Sequence, residues 1–185
     1  MQSVNPQRFG ICEGNEIDQT LAKGNSTFHM RRVLVPIDFS AYSISALGCA
    51  TVLAEKFGAA IVLLHVIEPG IVPSGLGYAP IVTETVGEHF REHAQVRLRA
   101  LAAKCPKQVP VEVEICIGCP YREIVSASAR LRADLIIIAT RGLSLSASQG
   151  MGSTVERVAR QAPCTVLVLR EPPPESATSH PRNLH

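Results

Sequence analysis

Five short apolar runs divide the chain, and segments of helical length lie between them. The runs are Val33 to Ile37, Ala59 to Ile67, Val109 to Ile117, Leu135 to Ile138 behind Asp134, and Thr165 to Leu169. Those at 59–67 and 135–138 are continuous rather than alternating, as expected of strands covered on both faces. Pro36 cannot donate to a ladder, so it belongs at the end of the first strand. Between the first two runs, Ile44, Leu47, Thr51 and Ala54, with Leu53 and Phe57, recur at helical spacing. Ser40 is placed to cap that helix and Gly58 to stop it. A second helix carries Val86, Phe90, Ala94, Leu98 and Leu101 on one stripe, with Glu88, Arg91, Glu92, His93 and Arg97 on its solvated face. A third runs from Tyr121 to about Leu131, with Pro120 suited to its first position. A fourth opens at Ser153, where Ser153-Thr154-Val155-Glu156 fits a capping box, and Pro163 ends it. The segment Glu68 to Val82, with three prolines and three glycines, is expected to be a long loop over the sheet's rim.

Strand and helix therefore alternate, and each connection is long enough for a right-handed crossover. The expected fold is α/β, a doubly wound five-stranded parallel sheet, with ligands at the carboxyl ends of its strands. Residues 31–170 hold this pattern. Residues 1–30 are polar and aperiodic and read as a flexible arm, and 171–185, rich in proline, as a disordered tail.

Two features mark a site. Asp38 follows the first strand. The loop Ala139 to Gly152 follows the fourth and leads into a helix N-terminus, where unpaired N–H groups and the helix dipole favour anions. Gly142, Gly150 and Gly152 admit close approach by a ligand, and Ser153 and Thr154 add hydroxyl donors. The loop lacks the lysine of a phosphate-binding P-loop, so Arg141, backbone amides and a metal ion would carry the neutralising charge. If strands one and four are neighbours, Asp38 and this loop face each other across the point where strand order reverses. Each feature also has a structural explanation: Asp38 as a carboxylate capping backbone N–H groups, the loop as a tight turn.

Composition narrows the field. A net charge of +2 argues against a dedicated nucleic-acid binder, and aromatics at 4% without Trp leave no stacking platform. No run is long enough to span a bilayer and no apolar leader opens the chain, so a soluble cytoplasmic protein is expected. Cys116-Ile117-Gly118-Cys119 is formally a C-x-x-C motif, yet no second pair stands at zinc spacing. Cys49 and Cys164 read as small buried hydrophobes. His65, inside the second strand, reads as a packed, hydrogen-bonded core histidine.

These residues resemble the universal stress protein family. VLVPIDFS is similar to its first strand and aspartate, LLHVIEP to its second strand, and GCPYREIV with ADLIIIATRG to its third helix and fourth strand. GSTVERVARQAPCTVLVLR is similar to its closing helix and strand, so the resemblance spans 31–170. It implies a Rossmann-like fold of the adenine nucleotide alpha hydrolase type. The nucleotide-binding members carry G-x2-G-x9-G-[ST]. Gly142, Gly152 and Ser153 match that spacing, whereas Ala139 stands at the first glycine, and SLSASQGM is unusually serine-rich. By resemblance, Asp38 and the backbone around Pro36, Ile37 and Val66 would hold adenine or ribose. Ala139, Arg141, Gly142, Gly152, Ser153 and Thr154 would line ribose and phosphates. The resemblance further implies ATP, with Mg²⁺, as ligand and a homodimer formed through the last strand.

Three functions compete. One is an ATP-binding stress-response module that changes state on binding, with at most slow hydrolysis. Another is a dimeric interaction module that holds no nucleotide. The third is an enzyme on the same fold, for which the sequence supplies no nucleophile–base pair and no acidic cluster.

Overall fold

The computed structural model describes residues 30–74, 77–81, 84–140 and 151–170. Its elements run β1 (Arg32–Pro36), α1 (Ala41–Phe57), β2 (Ala60–Ile67), β3 (Gly70–Ser74), β4 (Gly77–Ile81) and α2 (Glu84–Ala102). There follow β5 (Val111–Ile117), α3 (Pro120–Arg130), β6 (Leu135–Ala139), α4 (Ser153–Gln161) and β7 (Thr165–Leu169). Five strands form one parallel sheet in the order β5-β2-β1-β6-β7. The chain moves outward from β1 to β2 and β5, then returns to the other flank of β1 for β6 and β7. The strand order therefore reverses between β1 and β6, as expected for a doubly wound sheet.

Alternation of side chains sorts the core into two layers. Val33, Val35, Ile61, Leu63, Leu135 and Ile137 face α1 and α2, where Ala46, Ala50, Ala54 and Leu98 meet them. Leu34, Val62, Leu64, Ile136 and Ile138 face α3 and α4, against Ile124, Ala127, Val155 and Val158. Burial of both faces is why these strands read as unbroken apolar runs. The outer strand β5 is less covered: Glu112 is exposed, and Glu114 pairs with Arg130 of α3.

Local chemistry sets the ends. Ser40 caps α1 by accepting from Ser43 N–H at 3.1 Å, and Gly58 closes it in the left-handed region at φ 67°. Asp134 fastens β6 to β1: its Oδ2 accepts from the N–H groups of Arg31 (2.7 Å) and Arg32 (3.0 Å). Its own N–H donates to the Arg32 carbonyl at 2.9 Å. This clasp holds the two strands side by side and so places their far ends together.

Three expectations need correction. Glu68 to Val82 contains the antiparallel pair β3–β4, with Gly70 opposite Ile81 and Ser74 opposite Gly77. Its prolines are tolerated because a two-stranded ribbon leaves each strand an open side. The buried face of α1 is Ser43, Ala46, Leu47, Ala50 and Ala54, whereas Ile44 and Phe57 are exposed. Mostly small residues let this helix approach the sheet closely, with Leu47 the one large side chain buried and Ile44, Val52 and Phe57 left outside. On α2, Ala94 and Leu98 are buried as expected, but Phe90 is 55% exposed.

Candidate functional site

The site is built where β1 and β6 end. β1 finishes at Pro36, and Ile37 extends its ladder by one bond, N–H to the Leu64 carbonyl at 2.8 Å. The Ile37 carbonyl is engaged by His65 Nδ1 at 2.7 Å. Since Leu64 directs its peptide groups towards β1, alternation directs those of Val66, two residues on, the same way. By then β1 has turned off, so the Val66 backbone faces the gap that β1 leaves. The Val66 side chain packs into the layer beneath α3 and α4.

The turn after Ile37 depends on an unusual residue. Phe39 adopts φ 65°, a conformation that bulky side chains avoid at a cost of about 1–3 kcal/mol. Its ring is held from two sides. The His65 ring lies 4.7 Å away, and the Arg97 guanidinium of α2 lies 3.8 Å from its centroid. This kink starts α1 directly after β1 and carries Asp38 onto the rim. Asp38 Oδ1 accepts from Ser40 N–H at 3.0 Å and from Ser40 Oγ–H at 2.6 Å. Asp38 therefore does cap backbone, as its structural explanation anticipates, and the same bonds fix its orientation. No local sequence signal marks Phe39, because phenylalanine has no preference for left-handed backbone. His65 is a half-buried, hydrogen-bonded histidine, as its position in β2 suggests.

Opposite, β6 ends at Ala139, which is buried and sits beside Leu169 of β7. Its φ is not positive. Alanine at the position of the family's first glycine thus causes no left-handed strain, and its methyl group joins the α1–α2 layer. Thr140 N–H donates to the Leu169 carbonyl at 2.9 Å, and Gly152 N–H donates to the Thr140 carbonyl at 3.1 Å. The two ends of the intervening segment are thereby tied together. Arg141, Gly142 and Gly150 lie outside the described residues.

Gly152 is the N-cap of α4, with φ −61° and ψ 145°. This corrects the capping-box assignment: Ser153 is the first helical residue, and no side chain caps the helix. A glycine cap leaves the first-turn amides, including those of Ser153 and Thr154, without a side-chain acceptor from the cap. The structure therefore brings Asp38, the Val66 backbone, Ala139, Gly152, Ser153 and Thr154 to the carboxyl ends of neighbouring strands. Pro36 and Ile37 stand at the end of β1, and the Ile37 N–H and carbonyl are both engaged already. Among the described residues no group of three His, Cys, Asp or Glu is placed to hold a metal ion, and no helix is long and apolar enough to cross a membrane.

The C-x-x-C pair lies at the same rim, at the turn from β5 to α3. Gly118 there has φ 154°, a conformation that L side chains rarely adopt, so the turn favours glycine; a Cβ would also press on the Glu123 side chain, with Oε1 at 2.6 Å. Cys119 is exposed at the N-cap of α3, and Cys116 Sγ lies 3.5 Å from Glu114 Oε1. Burial first, and then the Glu114 carboxylate, push the Cys116 thiol up to about 11. Only about one molecule in a thousand would carry the Cys116 thiolate at pH 8. Iodoacetamide at that pH should therefore label Cys119 at least about tenfold faster than Cys116, read by peptide mass mapping. Equal rates would show that β5 does not shield Cys116. Cys49 and Cys164 are half-buried rather than fully buried.

Comparison with known proteins agrees with this architecture. The family model described as "Universal stress protein family" matches residues 29–170. A universal stress protein of Thermus aquaticus, named for its place in the 3' region of a QAH/OAS sulfhydrylase gene, is 33% identical over 141 residues. That alignment covers 76% of this chain and 98% of the relative. Among solved structures, the universal stress protein UspA of Lactobacillus plantarum superposes with a TM-score of 0.61 at 23% identity, covering 77% of this chain and 99% of its own. A universal stress protein in complex with cAMP (TM-score 0.53, 24% identity) covers 77% of this chain and 98% of its own. One from Archaeoglobus fulgidus in complex with dAMP (0.54, 20%) covers 77% and 99%. The structural likenesses carry the fold, and the family model carries the kinship: this chain belongs to the universal stress protein family.

Proposed function

We propose that the chain binds an adenine nucleotide, ATP with Mg²⁺, in the cleft between the ends of β1 and β6. It would act as a regulatory module of the stress response that changes state on binding, with at most slow hydrolysis. The observation that supports this most directly is the pairing of β1 with β6. It brings an oriented carboxylate, Asp38, to one lip and a glycine-capped helix N-terminus, Gly152-Ser153-Thr154, to the other. A carboxylate suits ribose hydroxyls or the adenine amino group, and a helix N-terminus suits phosphate. The Val66 backbone, directed past the end of β1, offers a donor and an acceptor to the base. Arg141 and Gly142 would complete the phosphate side. Mg²⁺ would arrive on the phosphates themselves, in keeping with the scarcity of acidic side chains here. Two structural neighbours in complex with cAMP and dAMP support a nucleotide of this class.

Titration with ATP and Mg²⁺ tests the proposal, and absence of saturable binding at millimolar nucleotide would remove it. Asp38→Ala should weaken adenosine and ATP alike, by about tenfold, as for a lost hydrogen bond to a charged group. A loss confined to ATP would contradict a base or ribose role.

The edge position of β7 favours assembly as well. Among the described residues β7 pairs only with β6, and Val166 to Leu169 are half-buried. An apolar edge strand is a surface for pairing, and a homodimer through β7 would cover it. If nucleotide does not bind, a dimeric interaction module is the reading that this edge leaves.

A further inference from the structure

Two cations and one aromatic ring meet where α3 and α4 begin. Tyr121, the second residue of α3, is half-buried and packs against the core layer that also contains Val66. Arg122 Nε donates to the Tyr121 hydroxyl oxygen at 2.9 Å, with the guanidinium carbon 5.7 Å from the ring centroid. From the other helix, Arg157 lies over the same ring at 4.8 Å. Both arginines are exposed, and among the described residues neither forms an ion pair. The nearby carboxylates are placed elsewhere: Glu156 bonds Arg160, and Glu123 lies against Gly118. The ring attracts each cation through its quadrupole, but it cannot neutralise either.

Arg157 stands four residues after Ser153 and three after Thr154, on the same side of α4. Helical side chains lean towards the N-terminus, so the Arg157 stem runs back towards the first turn of α4 while its guanidinium rests on the Tyr121 ring at the start of α3. Two planar cations are thus gathered on Tyr121 between the first turns of α3 and α4. One of them is a single turn along α4 from the residues assigned above to phosphate, and the loop leading into α4 has no lysine.

The geometry points to a polyphosphate clamp. Arg122 and Arg157, steadied on Tyr121, grip the outer phosphates of a nucleoside triphosphate whose inner phosphate lies on the first turn of α4. The clamp rests on the nucleotide reading and adds to it a preference for triphosphate over monophosphate.

Calorimetric titration of the full chain with AMP, with ATP (both with Mg²⁺) and with sodium tripolyphosphate tests it, on wild type, Arg122→Gln and Arg157→Gln. Wild type should bind ATP at least about tenfold more tightly than AMP. Each substitution should weaken ATP and tripolyphosphate about tenfold while leaving AMP within about twofold. Arg157→Lys, which keeps the charge but loses the flat stacking surface, should recover only part of the affinity. Equal wild-type affinities for AMP and ATP would overturn the clamp, as would equal losses of both in Arg157→Gln. Arginine-dependent binding of tripolyphosphate without any binding of AMP would sustain the clamp and sink the adenine reading. Failure of both ATP and tripolyphosphate to bind would remove the clamp outright.

Discussion

Gly152→Val is expected to lower affinity for ATP at least about a hundredfold, equivalent to about 2.7 kcal/mol, while the protein stays folded. The backbone tolerates the change. At φ −61° and ψ 145°, residue 152 occupies a region that valine adopts readily. Its N–H bond to the Thr140 carbonyl, and the bond its own carbonyl accepts from Glu156 N–H, involve no side chain. The isopropyl group would instead stand beside the amides of Ser153 and Thr154, where phosphate oxygens must come within about 3 Å. Because Gly152 is buried, some crowding of its surroundings is expected, at about 1–3 kcal/mol. Gly152→Ala, with a smaller intrusion, should give an intermediate affinity and separate the two effects. Affinity by calorimetry and folding by circular dichroism decide the matter. A folded Gly152→Val protein with undiminished affinity would place the phosphates elsewhere.

Much of this was legible because it follows from covered strands. Leu135 to Ile138 has no polar position, so it must lie inside a sheet flanked on both faces, and that implies crossover helices and a ligand rim. Asp38 and the helix beginning at Ser153 could then be placed at strand ends without coordinates. What escaped has physical reasons too. In α1 both faces carry apolar residues, and spacing alone cannot show that alanines, not Ile44 and Phe57, face the sheet. Proline and glycine between Glu68 and Val82 signal a break in regular structure, yet a two-stranded ribbon accepts both. Ser153 satisfies the capping-box pattern, but Gly152 takes the cap because the bond to Thr140 sets where the chain enters the helix. Phe39 and the Arg122–Tyr121–Arg157 cluster depend on contacts between elements far apart in sequence, which no local pattern encodes.

The sharpest test of the two-layer core is Ile136→Ala set against Phe90→Ala. Ile136 is the second residue of β6, wholly buried, facing α3 and α4 and in register with Leu34 of β1. Truncating it removes transfer energy and leaves a cavity in a layer closed on both sides, at about 2–5 kcal/mol. In a domain of this size that lowers Tm by on the order of 10 °C. Phe90 is the larger side chain and belongs to the apolar stripe of the sequence, but at 55% exposure its removal should change stability by no more than about 0.5 kcal/mol. Ile136 also sits in the joint between β1 and β6, below the proposed nucleotide. ATP at about one hundred times its Kd should therefore return about 2.7 kcal/mol to the Ile136→Ala protein by mass action, visible as a partial recovery of Tm. Urea or thermal melts of the two variants, with and without ATP, supply all four comparisons. A larger loss at Phe90 than at Ile136 would mean that α2 buries a different face, and the layer assignment on that side of the sheet would have to be redrawn.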